Sequence, residues 1–253
     1  MQNDFNKAIL EEVAHRAWPM PDRPWVMTQT WHDLLFAHWP VSRELLASKI
    51  PKGFELDTFD DHAWLGIVPF HMSNVAPRWV PALPWVSEFP ELNVRTYVRV
   101  DGRPGVYFFS LDAGNALAVQ TARRLLNLPY FSADMVVAED GDRVSYRSRR
   151  RPPEDEVRFV GSYRPIGDVF QAKPGTLEYF LTERYCLFGV SHAYRAYRLD
   201  IHHPPWPLQP AEAEIACNTM ARPSGIELPS MAPLLHFAKR QDMVAWALKP
   251  LRS

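Results

Sequence analysis

Residues 91–130, ELNVRTYVRVDGRPGVYFFSLDAGNALAVQTARRLLNLPY, leave little choice about what they build. Leu92, Val94, Thr96 and Val98 alternate with Asn93, Arg95 and Tyr97, and Glu91 and Arg99 continue the polar series. A period of two is that of a strand with two unlike faces. Asp101 and Gly102 are a turn pair suited to a tight hairpin, and VYFFSL returns as the second strand. Asp112 is placed to cap a following helix with Leu117, Val119 and Leu126, which Pro129 ends. Strand, turn, strand and helix in this order put the polar strand face and the helix arginines where a ligand site would be built.

The same grammar runs through the chain. Residues 4–17 have Phe5, Ile9 and Val13 spaced by four, a helical pattern that Asp4 would cap and PMPDRP would end. Residues 28–41 read as a strand, and Ser42 as the cap of a short helix that stops before Pro51. FELDTF and AWLGIVPFHMSNV read as two strands joined at Asp60 and Asp61, and 76–90 as a loop dense in Trp and Pro. Residues 132–151 are the clearest hairpin, turning at Asp140 and Gly141. EVRFVGSYRPI, YCLFGVS and AYRAYRLDI are strands, with a helix opened by Thr176 and a turn at His192 between them. AEAEIACNTM fits helix or strand, and PLLHFAKR and MVAWALKP close the chain as two strands. About ten strands and four short helices, mostly in hairpins, predict an antiparallel α+β fold around a curved sheet or barrel.

Composition excludes more than it selects. With 253 residues and a formal charge of −1, the chain is long enough for one large domain or two small ones and has no global field that favours nucleic acid or membrane. Only 6 of its 28 basic residues are lysine, and arginine keeps its charge when buried and grips carboxylates bidentately. Cys186 and Cys217 have no ligand or disulfide spacing around them and read as reduced core thiols. No secretory leader or bilayer-length apolar run is visible, so a cytoplasmic location is expected. The 24 prolines are scattered between apolar runs and punctuate short strands.

Several segments together resemble one family: WHDLLFAHWPV, GFELDTFDDHAWLGIVPF, FPELNVRTYV, GVYFFSLDA, FLTERYCLF, DIHHPPWPLQPAEAEI and LLHFAKR. They look like the YqjF-like family, bacterial proteins of unknown function, over roughly residues 25–250. That family is similar, more distantly, to acetoacetate decarboxylase. The resemblance implies a curved, cone-like, mainly antiparallel barrel with short helices outside and a central pocket. It implies one barrel domain over 25–253, preceded by a helix and proline-rich lead-in at 1–24. Acetoacetate decarboxylase works through a lysine Schiff base. The best counterpart here is the pair Arg123 and Arg124, and a guanidinium stays protonated and forms no imine. The activity is therefore not carried over, and a pocket with these arginines should bind an anion.

The candidate residues follow. Arg123, Arg124 and Arg95 would clamp a carboxylate; the structural alternative pairs Arg95 with Glu91 or Asp112. Glu91 is the candidate general acid or base, since burial would raise its pKa, unless it merely ends the strand. Asp112 reads as a helix cap. Asn93, Tyr97 and Tyr107 belong to the expected ligand wall. Arg184 and Tyr185 either line the pocket or, with Glu183, tie helix to sheet. His202 and His203, adjacent on an extended stretch, diverge and make a poor chelate, so no metal and no cofactor are expected. Arg143, Arg147, Arg149, Arg150 and Arg151 read as a solvated hairpin face, neutralised by Glu154, Asp155 and Glu156. Two functions are compatible with such a pocket: a lyase- or hydratase-type enzyme without a Schiff-base lysine, and a protein that binds or senses a small organic anion without turnover. A homo-oligomer is compatible with either.

Overall fold

The computed structural model describes residues 8–80, 82, 87–116, 128–154, 156–191 and 195–251. Among them thirteen strands form one sheet: β1 (Met27–Val41), β2 (Glu55–Leu56), β3 (Ala63–Pro77), β4 (Phe89–Val100), β5 (Arg103–Ala113), β6 (Tyr130–Asp140), β7 (Arg143–Arg150), β8 (Arg158–Pro165), β9 (Cys186–Val190), β10 (Ala196–His202), β11 (Gln209–Asn218), β12 (Leu234–Ala245) and β13 (Lys249–Pro250). Two short helices lie outside it, α1 (Arg43–Ala47), capped by the Ser42 side chain, and α2 (Leu177–Thr182), capped by Thr176. No helix of the described residues is long and apolar enough to cross a membrane.

The sheet closes on itself twice. Pairing of β4 with β5 closes a ring through β6, β7, β8, β11, β12, β1 and β3. Pairing of β10 with β12 and of β9 with β5 closes a second ring that shares β5, β4, β3, β1 and β12 with the first. The shared strands are therefore a wall with both faces covered, which explains their nearly continuous burial. On one face Leu35, Ala37, Leu65, Ile67, Leu92 and Val94 pack with Tyr146, Phe159 and Tyr163 and fill the first ring. The other face of the wall borders a cavity inside the second ring.

Most strand predictions hold, and the departures have common causes. β5 runs parallel to β6 and to β9, so the barrel is mixed. β2 pairs with β4, and Asp60 and Asp61, both at positive φ, turn only a single bridge from Phe59 to His62. The two expected closing strands are largely one, β12, because β1 pairs with it from Met27↔Ala245 to His38↔Leu234. The first described residues are helical only at 8–11. Ile9 is buried there while Val13 is exposed. Beyond residue 11 the chain turns inward, and Arg16 bonds the Ile201 carbonyl at 2.9 Å and the His202 ring at 2.9 Å; Asp4 and Phe5 lie outside the described residues.

Asp112 is not a helix cap. It lies in β5, fully buried, and accepts two hydrogen bonds from Arg150 at 2.7 and 3.0 Å. Arg150 is thereby the exception on its hairpin: Arg147 and Arg149 face solvent, whereas Arg150 is 2% exposed and packs over Phe131. A buried carboxylate and a buried guanidinium each make the other tolerable.

Candidate functional site

The cavity measures about 110 Å³, room for several waters or a small organic molecule. Its polar floor is β4. Glu91, Asn93 and Arg95 project into it at alternate positions, as the period of two requires. Next to them across β3 stand Phe70, Val68 and Gly66, so an apolar row follows each polar residue. A Cβ on Gly66 would stand 3.0 Å from His38 Nε2 and 3.3 Å from Arg95 Cγ; glycine lets Arg95 lie down against the sheet.

Two bulges decide which other side chains enter. β1 has an extra residue relative to β3 near Asp33, whose φ is 50°, and the cavity-lining parity changes from Met27, Gln29 and Trp31 to Leu34. β5 has an extra residue relative to β4 at Phe109, since Val94 pairs with Ser110 and Arg95 with Phe108. Leu111, Phe108 and Val106 consequently face the cavity. Tyr107 points the other way and packs edge-on against Phe54 and Phe109.

The electrostatics divide the cavity. Glu91 is 3% exposed, and burial pushes its carboxyl up to about 8, with Asp112 adding repulsion and the hydrogen bond from Tyr130 opposing. That bond runs from the Tyr130 hydroxyl to Glu91 Oε2 at 2.8 Å. At neutral pH this residue is mostly a carboxylic acid. Arg95 donates to the Leu181 carbonyl at 3.2 Å and lies over the Phe36 ring at 5.3 Å. It pairs with neither Glu91 nor Asp112, and its buried Nε has no acceptor among the described residues. Asn93, 5% exposed, has its buried Oδ1 likewise without a partner among the described residues. Arg184 also lines the cavity, but Asp57 takes its guanidinium at 2.7 Å and holds Arg99 at 2.9 Å as well.

Of the residues expected from sequence, Glu91, Asn93, Arg95 and Arg184 line this cavity. Tyr97 shares their strand face but lies beyond the cavity under α2, donating to the Leu181 carbonyl and bonded to His38, both at 2.7 Å. Tyr185 is one layer back: its hydroxyl donates to Glu183, and its ring stacks on His203 at 4.8 Å. Arg123, Arg124 and His192 lie outside the described residues. Among the described residues no lysine lines the cavity and no group of three His, Cys, Asp or Glu side chains could hold a metal ion.

Sequence reasoning missed Tyr130, Thr182, His203, Trp206 and Cys186, all cavity-lining. Tyr130 reaches Glu91 through the parallel β5–β6 pairing, which leaves no local signature. Burial holds His203 down to about 4, so it is neutral, and pushes the Cys186 thiol up to about 12, so it stays protonated. Neither supplies charge. Trp206, beside Glu183 and stacked on Trp31 at 5.7 Å, could have been suspected only from the stiff PPWP that holds it.

Comparison with known proteins places this geometry. The fold is that of acetoacetate decarboxylase from Legionella pneumophila, with a TM-score of 0.60 at 13% identity over 97% of this chain and 95% of that chain. An acetoacetate decarboxylase-like enzyme from Sphingomonas wittichii RW1 gives 0.59 at 12% over 95% and 99%. The enduracididine biosynthesis enzyme MppR, complexed with pyruvate, gives 0.59 at 10% over 94% and 93%. In sequence, the uncharacterized protein YqjF of Bacillus subtilis (strain 168) is 48% identical over 241 residues, 95% of this chain and 99% of the relative. The family model DUF2071, an uncharacterized conserved protein, matches residues 28–242. With that match and that identity, the chain belongs to the YqjF-like DUF2071 family, built on the acetoacetate decarboxylase-like barrel.

Proposed function

We propose that the cavity binds a small organic anion through Arg95 and that Glu91, hydrogen-bonded by Tyr130, exchanges a proton with it. One observation carries the reading: a half-buried arginine with no carboxylate partner among the described residues and a buried, mostly protonated carboxylic acid share one strand face of one cavity. The arginine supplies charge-assisted, bidentate contacts for a carboxylate. The acid is tuned near neutrality, where it both gives and takes a proton. MppR, of the same fold, is complexed with pyruvate, a small carboxylate.

Such a pair suits reversible addition or loss of water. A protonated Glu91 donates to a departing hydroxyl, which leaves as water, and its carboxylate recovers a proton from the substrate carbon. Lyase or hydratase chemistry of this kind needs no imine, and no lysine lines the described cavity. Schiff-base decarboxylation is not part of the reading.

The test is a thermal-shift screen of a carboxylate library, with native mass spectrometry of protein purified from its own host. A retained anion and a stabilising carboxylate are expected, with both lost in Arg95→Met. Glu91→Gln should keep the binding and lose proton exchange with the ligand in deuterated water. Binding with no exchange in either form would leave a sensing or sequestering protein. A clean apo mass with no shift across the library would remove the anion pocket.

A further inference from the structure

The ligand-binding reading can be sharpened by the lengthwise arrangement of the cavity. Residues 91, 93 and 95 sit on one strand face, so the Glu91 and Arg95 backbones are separated by roughly 13 Å. Arg95 does not fold back across this distance; its guanidinium is anchored on the Leu181 carbonyl at the α2 end. The Glu91–Tyr130 pair marks the opposite end. Apart from Asn93, the wall between them is apolar, with Val68, Phe70, Phe108, Leu111, Ile201 and Met243 among its lining.

Charge is as unevenly placed as shape. Arg184 is matched by Asp57. Arg95 has no carboxylate within 4 Å among the described residues, so one positive charge at one end is uncompensated. At the other end no cation among the described residues borders the cavity. The Asn93 amide, midway, makes no side-chain hydrogen bond to any described residue, and its Oδ1 is buried. Buried polar groups left open in this way are answered by a ligand's own donors and acceptors.

Resting on the anion-pocket reading above, we infer that the ligand is an elongated monocarboxylate. Its carboxylate sits on Arg95, an aliphatic or aryl body spans the apolar middle, and an uncharged hydrogen-bonding group such as a hydroxyl meets Glu91 and Tyr130. The two polar ends are separated by on the order of 10 Å. A three- or four-carbon keto acid is too short to reach both. A dicarboxylate of the right length brings a second charge beside the Glu91 carboxyl, at an end with no cation among the described residues.

Isothermal titration of the full chain with pyruvate, octanoate, ω-hydroxyoctanoate and suberate tests this. The ω-hydroxy acid should bind at least about tenfold tighter than pyruvate, and tighter than suberate. Arg95→Met should abolish binding of all four. Tyr130→Phe and Glu91→Leu should each erase the advantage of ω-hydroxyoctanoate over octanoate while leaving octanoate itself within about threefold. Using both variants keeps the test intact if one of them does not fold. Arg95-dependent binding in which pyruvate matches the longer acids would overturn the inference and leave the anion pocket standing. Absence of any Arg95-dependent binding would overturn both.

Discussion

Glu91 shows at the scale of one residue what the closed sheet does to an ordinary carboxyl. In the unfolded chain it ionises near 4.5; in the cavity, burial holds its proton up to about 8. Between those values the native state binds the extra proton, so stability falls as pH rises through the window. The slope approaches about 1.4 kcal/mol per pH unit where Glu91 is fully protonated. His202 and His203, held down to about 4 by burial, act in the opposite sense: the unfolded chain binds their protons near 6.5, and stability rises with pH between those values. His32, His38 and His236, also lowered by burial, act in the same sense, and the rise from all five dies away only about one pH unit above 6.5. It is common to wild type and Glu91→Gln, so the difference in urea-unfolding stability between the two proteins should fall, wild type losing ground, between pH 6.5 and 8. Parallel pH profiles would mean that Glu91 is already ionised at the lower pH. The acidic side chain was readable in sequence as a candidate, because it stood on the polar face of a strand. Its neutrality was not, since that depends on walls contributed by β1, β3, β5, β6 and β12.

At the scale of elements, the Asp112–Arg150 pair joins two pieces that backbone hydrogen bonds hold only briefly. β6 pairs with β5 over three residues, Leu111 to Ala113 against Tyr130 to Ser132, before it departs to pair with β7. Arg150, at the far end of β7, returns to Asp112 of β5 and also takes Glu154 at 2.5 Å. Removing one partner leaves the other charge buried. Asp112→Ala should cost about 3–5 kcal/mol of folding stability, and Asp112→Ala with Arg150→Met considerably less. Chemical denaturation of both variants measures the difference, and equal losses would show the pair to be a bystander. Sequence placed Asp112 at a helix start and Arg150 on a solvated face, each a sound local reading. Both failed for one reason: their partner lies 38 positions away along the chain, and pairing at that distance outweighs capping and solvation. The two Asp-Gly hairpin turns were legible, whereas the turn at Asp60 and Asp61 joins no hairpin of β2 with β3. Gly102 and Gly141 adopt positive φ where Asp-Gly pairs announced them.

For the whole molecule, the two rings predict a gradient of protection. The shared strands β1, β3 and β4 are covered on both faces, whereas β6 and β11 alternate buried or half-buried with exposed residues and have an outer face in water. Native-state hydrogen exchange should find the slowest amides in the centres of β1, β3 and β4, and distinctly faster exchange in the β6–β7 hairpin. Equal protection of β4 and β7 would contradict a two-faced wall. That wall also separates what the sequence determined from what tertiary structure decided. The sequence by itself determined most of the strands, the Asp-Gly turn pairs and the Ser42 and Thr176 caps. It also determined that Glu91, Asn93 and Arg95 share a face, because each follows from neighbours a few residues apart. Tertiary structure decided that this face borders a cavity while the Leu92 and Val94 face fills a core. It shifted the parity of β1 and β5 by single-residue bulges, which turned Phe108 inward and Tyr107 away. It also brought Tyr130 to Glu91 and set Tyr97 beneath α2. The physical reason is the closure of the sheet: which side of a strand is inside depends on where both its edges find partners, and those partners come from the whole length of the chain.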